Sequence, residues 1–186
     1  MSLRVEQLCA GWLVREKGMV IEAHSTSSII LGGSQIIVVD TSDTLLRPDI
    51  IRSLDRLGIK EGDVDVVINT HGHPDHCSNN DLFRNAAILA HPAEGVPRSS
   101  PEVKLEEGVR TVLTPGHTAG SIAVFVEGEK RTAIAGDALP TRDNYVKMVP
   151  PGHNYDPELA LASMRRIIEW AEVVVPGHGP AFDVVH

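Results

Sequence analysis

Three imidazoles and a carboxylate fall within a few residues at His71, His73, Asp75 and His76, in the run Thr70-His71-Gly72-His73-Pro74-Asp75-His76. Histidine is the commonest side-chain metal ligand, and packing alone seldom concentrates it this way. In an extended or gently turning segment His71 and His73 point the same way and can share one cation. Asp75 and His76, past the bend at Pro74, can face a second. Gly72 leaves space for metal or substrate. Two more histidines each follow a Pro-Gly corner: His117 in Thr114-Pro115-Gly116-His117-Thr118 and His178 in Val175-Pro176-Gly177-His178-Gly179. Such a corner ends a strand and projects the imidazole from its C-terminal end, where sheet-based sites are commonly built. Asp137 closes the apolar run Ala133-Ile134-Ala135-Gly136, and a carboxylate with two oxygens can bridge two cations. Together, His71, His73, Asp75, His76, His117, Asp137 and His178 read as a two-metal site. Asp40 is similarly placed at a strand end and is expected to orient the histidine loop by hydrogen bonds.

These donors are all nitrogen and oxygen, which suits two divalent ions, zinc first and manganese or iron also. A structural zinc site is normally closed by cysteines. Here the ligands leave coordination positions open for water or substrate, which means catalysis. The expected reaction is hydrolysis by a metal-bridging hydroxide, with Asp75 holding and orienting it, and no side-chain nucleophile. Residues 139–154 supply candidate substrate contacts in Arg142, Tyr145, Lys147 and His153. His24 and His91 are expected to be structural or exposed, and His186, the last residue, disordered.

The elements that must position these side chains are legible in outline. Residues 28–31 and 35–39 are β-branched runs joined by Gly32, Gly33 and Ser34, the pattern of a hairpin. Residues 48–57 place Ile50, Ile51, Leu54 and Leu57 at helical spacing, with Pro48 in the first turn and Gly58 as a stop. Residues 64–68 are too short for a helix and predict a buried strand leading into the His71 cluster. Further strands are predicted over residues 87–90, 109–113, 122–126 and 131–135. Asp156 is an N-cap, Pro157 opens a helix over 157–170, and a strand over 173–175 runs into His178. This order predicts sheets packed on each other with helices outside.

The 186 residues, 42% of them hydrophobic, suffice for one core, so one domain over 1–186 is expected. No apolar stretch is long enough to span a membrane, and Arg4, Glu6, Arg15, Glu16 and Lys17 break any apolar signal core. A cytoplasmic protein with no membrane partner is the expectation. Cys9 and Cys77 are too few for a disulfide framework, which fits a reducing compartment. The net charge of −8 argues against a protein that coats nucleic acid. Divalent metals would nevertheless add positive charge where a phosphate would bind, which keeps phosphate esters and RNA open as substrates.

In this order the His-x-His-x-Asp-His, His, Asp and His elements resemble the metallo-β-lactamase superfamily, from about Ser25 to Pro180. The resemblance implies an α/β fold, a four-layer αββα sandwich with the metals at one edge between the sheets. It also implies His71, His73 and His117 on one metal, Asp75, His76 and His178 on the other, and Asp137 bridging. The glyoxalase II and ribonuclease Z branches have this full set. Classical β-lactamases lack the bridging aspartate, so Asp137 counts against antibiotic hydrolysis as the native role. The chain departs from glyoxalase II-like members at Cys77-Ser78-Asn79-Asn80, where they tend to have glycines, and only six residues follow Pro180 where glyoxalase II has a helical domain. About forty residues separate Asp137 from His178, too few for the inserted domain of the β-CASP group, and no exosite arm is apparent. The short length and Pro176-Gly177-His178-Gly179-Pro180 look most like the metallo-β-lactamase domain-containing protein 1 branch, which is linked to RNA hydrolysis. The leading expectation is a hydrolase of a small ester, thioester or lactone. The alternatives are a phosphodiesterase or ribonuclease, a mononuclear-iron oxidoreductase resembling persulfide dioxygenases, and a non-catalytic metal-binding scaffold. A homo-oligomer is compatible with each.

Overall fold

The computed structural model describes residues 2–185, so the expectation for His186 lies outside the described residues. In chain order the strands are β1 (Arg4–Cys9), β2 (Trp12–Glu16), β3 (Met19–His24), β4 (Ser27–Leu31), β5 (Ile37–Val39), β6 (Val66–Ile68), β7 (Ala87–Leu89), β8 (Val109–Leu113), β9 (Ile122–Glu127), β10 (Arg131–Ile134), β11 (Val173–Val175) and β12 (Phe182–Asp183). The α-helices are α1 (Arg47–Leu57), α2 (Pro74–Cys77), α3 (Arg142–Lys147) and α4 (Pro157–Trp170). One sheet has the order β1-β4-β5-β6-β7, and the other β12-β11-β10-β9-β8. Strands β2 and β3 form a separate antiparallel hairpin.

Side-chain alternation along the strands builds the layers. Ile30, Ile37, Val39, Val66, Ile68 and Leu89 of the first sheet pack against Val109, Ile122, Val124, Val126, Ile134 and Val175 of the second. The intervening residues Ile29, Leu31, Val38, Val67 and Ile88 face outward and are covered by Ile50 and Leu54 of α1. Ala123, Phe125, Ala133 and Val174 are covered likewise by Met164 and Ile167 of α4. Burying each of the larger aliphatic chains contributes about 1.5–3 kcal/mol. The result is the four-layer αββα sandwich. Helix α1 stops at Gly58, whose φ of 70° is left-handed, and α4 is capped by Asp156, whose Oδ1 accepts from the Glu158 and Leu159 amides at 3.0 Å each.

Several features depart from the sequence pattern. Residues 4–24 hold β1, β2 and β3. The hairpin strands lack an apolar-in, polar-out alternation because Val14, Met19, Val20 and Ile21 are all exposed. Within the expected loop 139–154, residues 142–147 form α3, closed by Met148 at a left-handed φ of 50°. Finally, the expected second strand of the first hairpin is shorter, beginning at Ile37, because the Ile36 amide donates to Asp65 Oδ2 (2.8 Å) rather than to a neighbouring strand. No helix among the described residues is long and apolar enough to cross a membrane.

Candidate metal centre

Every candidate ligand leaves the same edge of the sandwich. Asp40 follows β5, His71 and His73 follow β6, His117 follows β8, Asp137 follows β10 and His178 follows β11. The two sheets are joined at this edge by the Ile122 amide, which donates to the Thr70 carbonyl at 2.8 Å. Pro74 then opens α2, a single turn that carries Asp75 and His76. The seven side chains predicted from spacing therefore meet, although Asp75 and His178 are more than 100 residues apart in sequence.

Hydrogen bonds on the outer side of the rings determine which nitrogens face inward. The His117 Nδ1 donates to the His153 carbonyl (2.6 Å) and the His178 Nδ1 to the His24 carbonyl (2.8 Å), and a carbonyl can only accept. Thr70 Oγ1 gives its proton to Asp40 Oδ2 (2.7 Å), so it accepts from His71 Nδ1 at 3.1 Å. His76 Nδ1 donates to Asp40 Oδ2 at 2.8 Å. These four rings thus turn Nε2 lone pairs inward, and His73 presents Nδ1.

His73 Nδ1 lies 3.0 Å from His71 Nε2 and 3.1 Å from His117 Nε2. One proton on His73 could satisfy one of these contacts and not both. A tetrahedral ion with bonds of about 2.0–2.1 Å separates its ligands by roughly 3.3 Å and would satisfy all three. Asp75 Oδ2 stands 3.7 Å from both His76 Nε2 and His178 Nε2. Between the groups, Asp137 Oδ1 faces His76 and His178 Nε2 at 3.5 and 3.1 Å, while its Oδ2 faces His117 Nε2 at 3.4 Å. His76 Nε2 and Asp137 Oδ1 are buried without a hydrogen-bond partner, which is costly unless a cation sits between them. The residues fit two divalent ions: His71, His73 and His117 could hold one, and Asp75, His76 and His178 the other.

The electrostatics point the same way. Burial and the neighbouring His76 hold His71 well below the usual imidazole range, and burial and His117 lower His73, so both stay neutral as ligands require. Burial opposes charge on His76, yet the Asp40 and Asp137 carboxylates push it well above its ordinary value. Burial likewise opposes charge on Asp137, yet His178 and His76 hold it well below the usual carboxylate range. Positive charge between these groups is favoured, whether a proton or a metal ion supplies it.

A second set of residues fixes the ligand loops. The buried Asp40 accepts from the Thr70 amide (2.8 Å) as well as from Thr70 Oγ1 and His76. Glu94 was not apparent from the sequence, because it lies outside every motif. Its Oε2 accepts from the Gly72 amide, between His71 and His73, at 3.0 Å. Its Oε1 accepts from Thr118 Oγ1 and the Gly120 amide just past His117, both at 2.8 Å. One carboxylate thus ties together the two loops that carry His71, His73 and His117. Gly72 is explained by the same residue: a Cβ there would collide with the Glu94 carbonyl, so the glycine makes room for backbone rather than for metal or substrate. Glu94→Ala is expected to fold and to weaken metal binding about tenfold to a hundredfold, with Glu94→Gln intermediate. Chelator competition would measure this, and wild-type affinity in Glu94→Ala would refute the positioning role.

The cleft above the centre encloses about 470 Å³. His73, Asp75, His117, Asp137 and His178 line its floor, and Pro151, Gly152 and His153 one wall. Of the expected substrate contacts, His153 is at the cleft, and Arg142, Tyr145 and Lys147 do not line it. Tyr145 stacks on Phe182 and its hydroxyl meets the Val185 backbone, while Lys147 pairs with Asp143 at 2.6 Å. The exposed Arg142 opens α3. In their place the β2–β3 hairpin contributes Leu13, Arg15, Met19, Val20 and Ala23 as the opposite wall. His24, at the hairpin's root, is buried and bonded to Asp43 and Glu22, and His91 accepts the Ala93 amide at 3.2 Å.

An αββα sandwich with a histidine and aspartate cluster at one edge defines the metallo-hydrolase class. Residues 21–102 and 100–178 match the family model of the metallo-beta-lactamase superfamily, and the chain belongs to that superfamily. A Methanocaldococcus jannaschii protein named as a probable metallo-hydrolase is 38% identical over 95% of this chain and 87% of its own. Metallo-beta-lactamase domain-containing protein 1 of Xenopus laevis is 33% identical over 97% and 82%. Among solved structures, a Bacillus thuringiensis AiiA variant with N-decanoyl-L-homoserine bound at its active site superposes with a TM-score of 0.74. That likeness has 21% identity and covers 95% of this chain and 92% of the other, so it bears on the fold alone. The chain is a metal-dependent hydrolase with a candidate His and Asp metal site.

Proposed function

We propose that residues 1–186 act as one domain and as a two-metal hydrolase of small esters, thioesters or lactones. The carrying observation is Asp137, whose two oxygens face the two ligand groups from between them. Divalent cations bound there, zinc above all, supply Lewis acidity and lower the pKa of water toward ~7, making it a nucleophile at neutral pH. The chain's own residues do the rest. The Asp75 side chain makes no hydrogen bond among the described residues and faces the cleft, where it holds and orients the attacking water. Asp40 keeps His76 and the His71 loop in register. The hairpin wall shields the reacting carbonyl from bulk water, and His153 stands at the rim. Support for a small acyl substrate comes from the size of the cleft and its apolar wall.

Metal analysis together with a panel of a thioester, a lactone, bis-p-nitrophenyl phosphate and a short RNA tests this reading. Two divalent ions per chain and chelator-sensitive turnover of the thioester or lactone are expected. Cleavage confined to the phosphodiester or the RNA would replace the acyl reading with a phosphodiesterase. One iron per chain would favour the oxidoreductase, and metal-loaded protein inert to every substrate a scaffold.

A further inference from the structure

We propose that Arg15 is a specificity-determining residue, selecting substrates that carry an anionic group away from the scissile bond and lay their apolar part along the β2–β3 hairpin. The inference rests on the hydrolase reading above and adds the substrate's charge. Among the described residues, Arg15 is the only lysine or arginine lining the cleft. Its guanidinium makes no hydrogen bond or close ion pair among the described residues, and it only adds, after Lys147, to the lowering of the Asp143 carboxyl. It reaches across the mouth, where a Cβ on Gly152 of the opposite wall would stand 3.9 Å from Arg15 Nη2. A cation held over a cleft without a partner is a ready donor to a carboxylate or phosphate.

The backbone aims it there. In β2–β3, Leu13 pairs with Ala23 and Arg15 with Val20, and the register shifts between Val14 and Arg15. Strict alternation would put Val20 and Ala23, three residues apart, on opposite faces. The bulge turns both to the cleft beside Leu13 and Arg15. Apolar and cationic groups therefore share one wall, with Met19 66% and Val20 46% exposed. The hairpin's acids do not compensate Arg15: Glu22 is bonded to Trp12 and His24, and Glu16 does not line the cleft. The carboxylates that do line it, Asp75 and Asp137, are candidate metal ligands. An amphiphilic anion fits this lining.

The test compares p-nitrophenyl butyrate with its anionic counterpart, mono-p-nitrophenyl succinate, on the zinc-loaded protein. Wild type is expected to favour the succinate about tenfold in kcat/KM, through KM. That preference should fall about tenfold in Arg15→Gln and reverse in Arg15→Glu. A ratio unaltered in both variants overturns the proposal. Calorimetry keeps the two readings separate if neither ester is hydrolysed. Adipate should then bind zinc-loaded wild type more tightly than hexanoate, because its second carboxylate can reach Arg15, and Arg15→Gln should lose that difference. Loss of the difference would support the anion site although the esterase reading had failed. A difference kept in Arg15→Gln, or absent from wild type, would refute the site itself.

Discussion

Asp75→Ala is expected to fold normally and to lose about 10³-fold in kcat/KM on any substrate the wild type hydrolyses, measured at saturating metal. The fold should survive because the side chain makes no hydrogen bond among the described residues. Its neighbours His76 and His178 stand 3.7 Å away, and it borders solvent through the cleft. Activity should not survive, because Asp75 is the carboxylate assigned to orient the attacking water and is also a candidate metal ligand. Metal content measured beside the kinetics separates these causes. Two ions retained with activity lost points to the water, whereas one ion lost points to the ligand. Wild-type turnover would sink the assignment.

Asp40→Ala should act in the opposite way, on stability first. It leaves the Thr70 amide, Thr70 Oγ1 and His76 Nδ1 without their acceptor in a fully buried place. Breaking such a buried pair costs about 3–5 kcal/mol, which for a domain of this size lowers Tm by roughly 6–20 °C. Backbone strain adds to this, since Asp40 has a left-handed φ of 54° that aspartate and asparagine tolerate better than alanine. Asp40→Asn keeps the backbone preference and one acceptor but turns a donor toward Thr70 or His76. The expected order of both Tm and metal affinity is wild type, then Asn, then Ala. Thermal melts of the metal-free and metal-loaded proteins would check it, and a Tm of Asp40→Ala within 2 °C of wild type would show that the carboxylate is dispensable.

These two predictions mark how far the residues could be read without coordinates. Asp75 was legible because ligand chemistry is written in residue type and short spacing. Asp40 was legible only as a strand-end carboxylate, and its donors, 30 and 36 residues away, became visible once β5 and β6 paired. The strands around Ile30, Val38 and Val67, buried on both faces, were legible as short β-branched runs, and helices α1 and α4 because one-sided burial leaves a period in the sequence. The β2–β3 hairpin left no such trace, since its apolar side chains are not sorted between core and solvent. Arg142, Tyr145 and Lys147 are close in sequence to Asp137, but α3 turns them away from the cleft.

For the metal centre, the sequence by itself determined the candidate ligand side chains and, through the resemblance their order carries, the fold that places them, because residue type and spacing are written along short stretches of chain. Tertiary structure alone decided which nitrogens face inward, that Glu94 ties two ligand loops together, and that Arg15 overhangs the cleft. Each of these rests on contacts between segments from 22 to 154 residues apart, and such contacts follow from how the sheets pack and twist rather than from any local pattern.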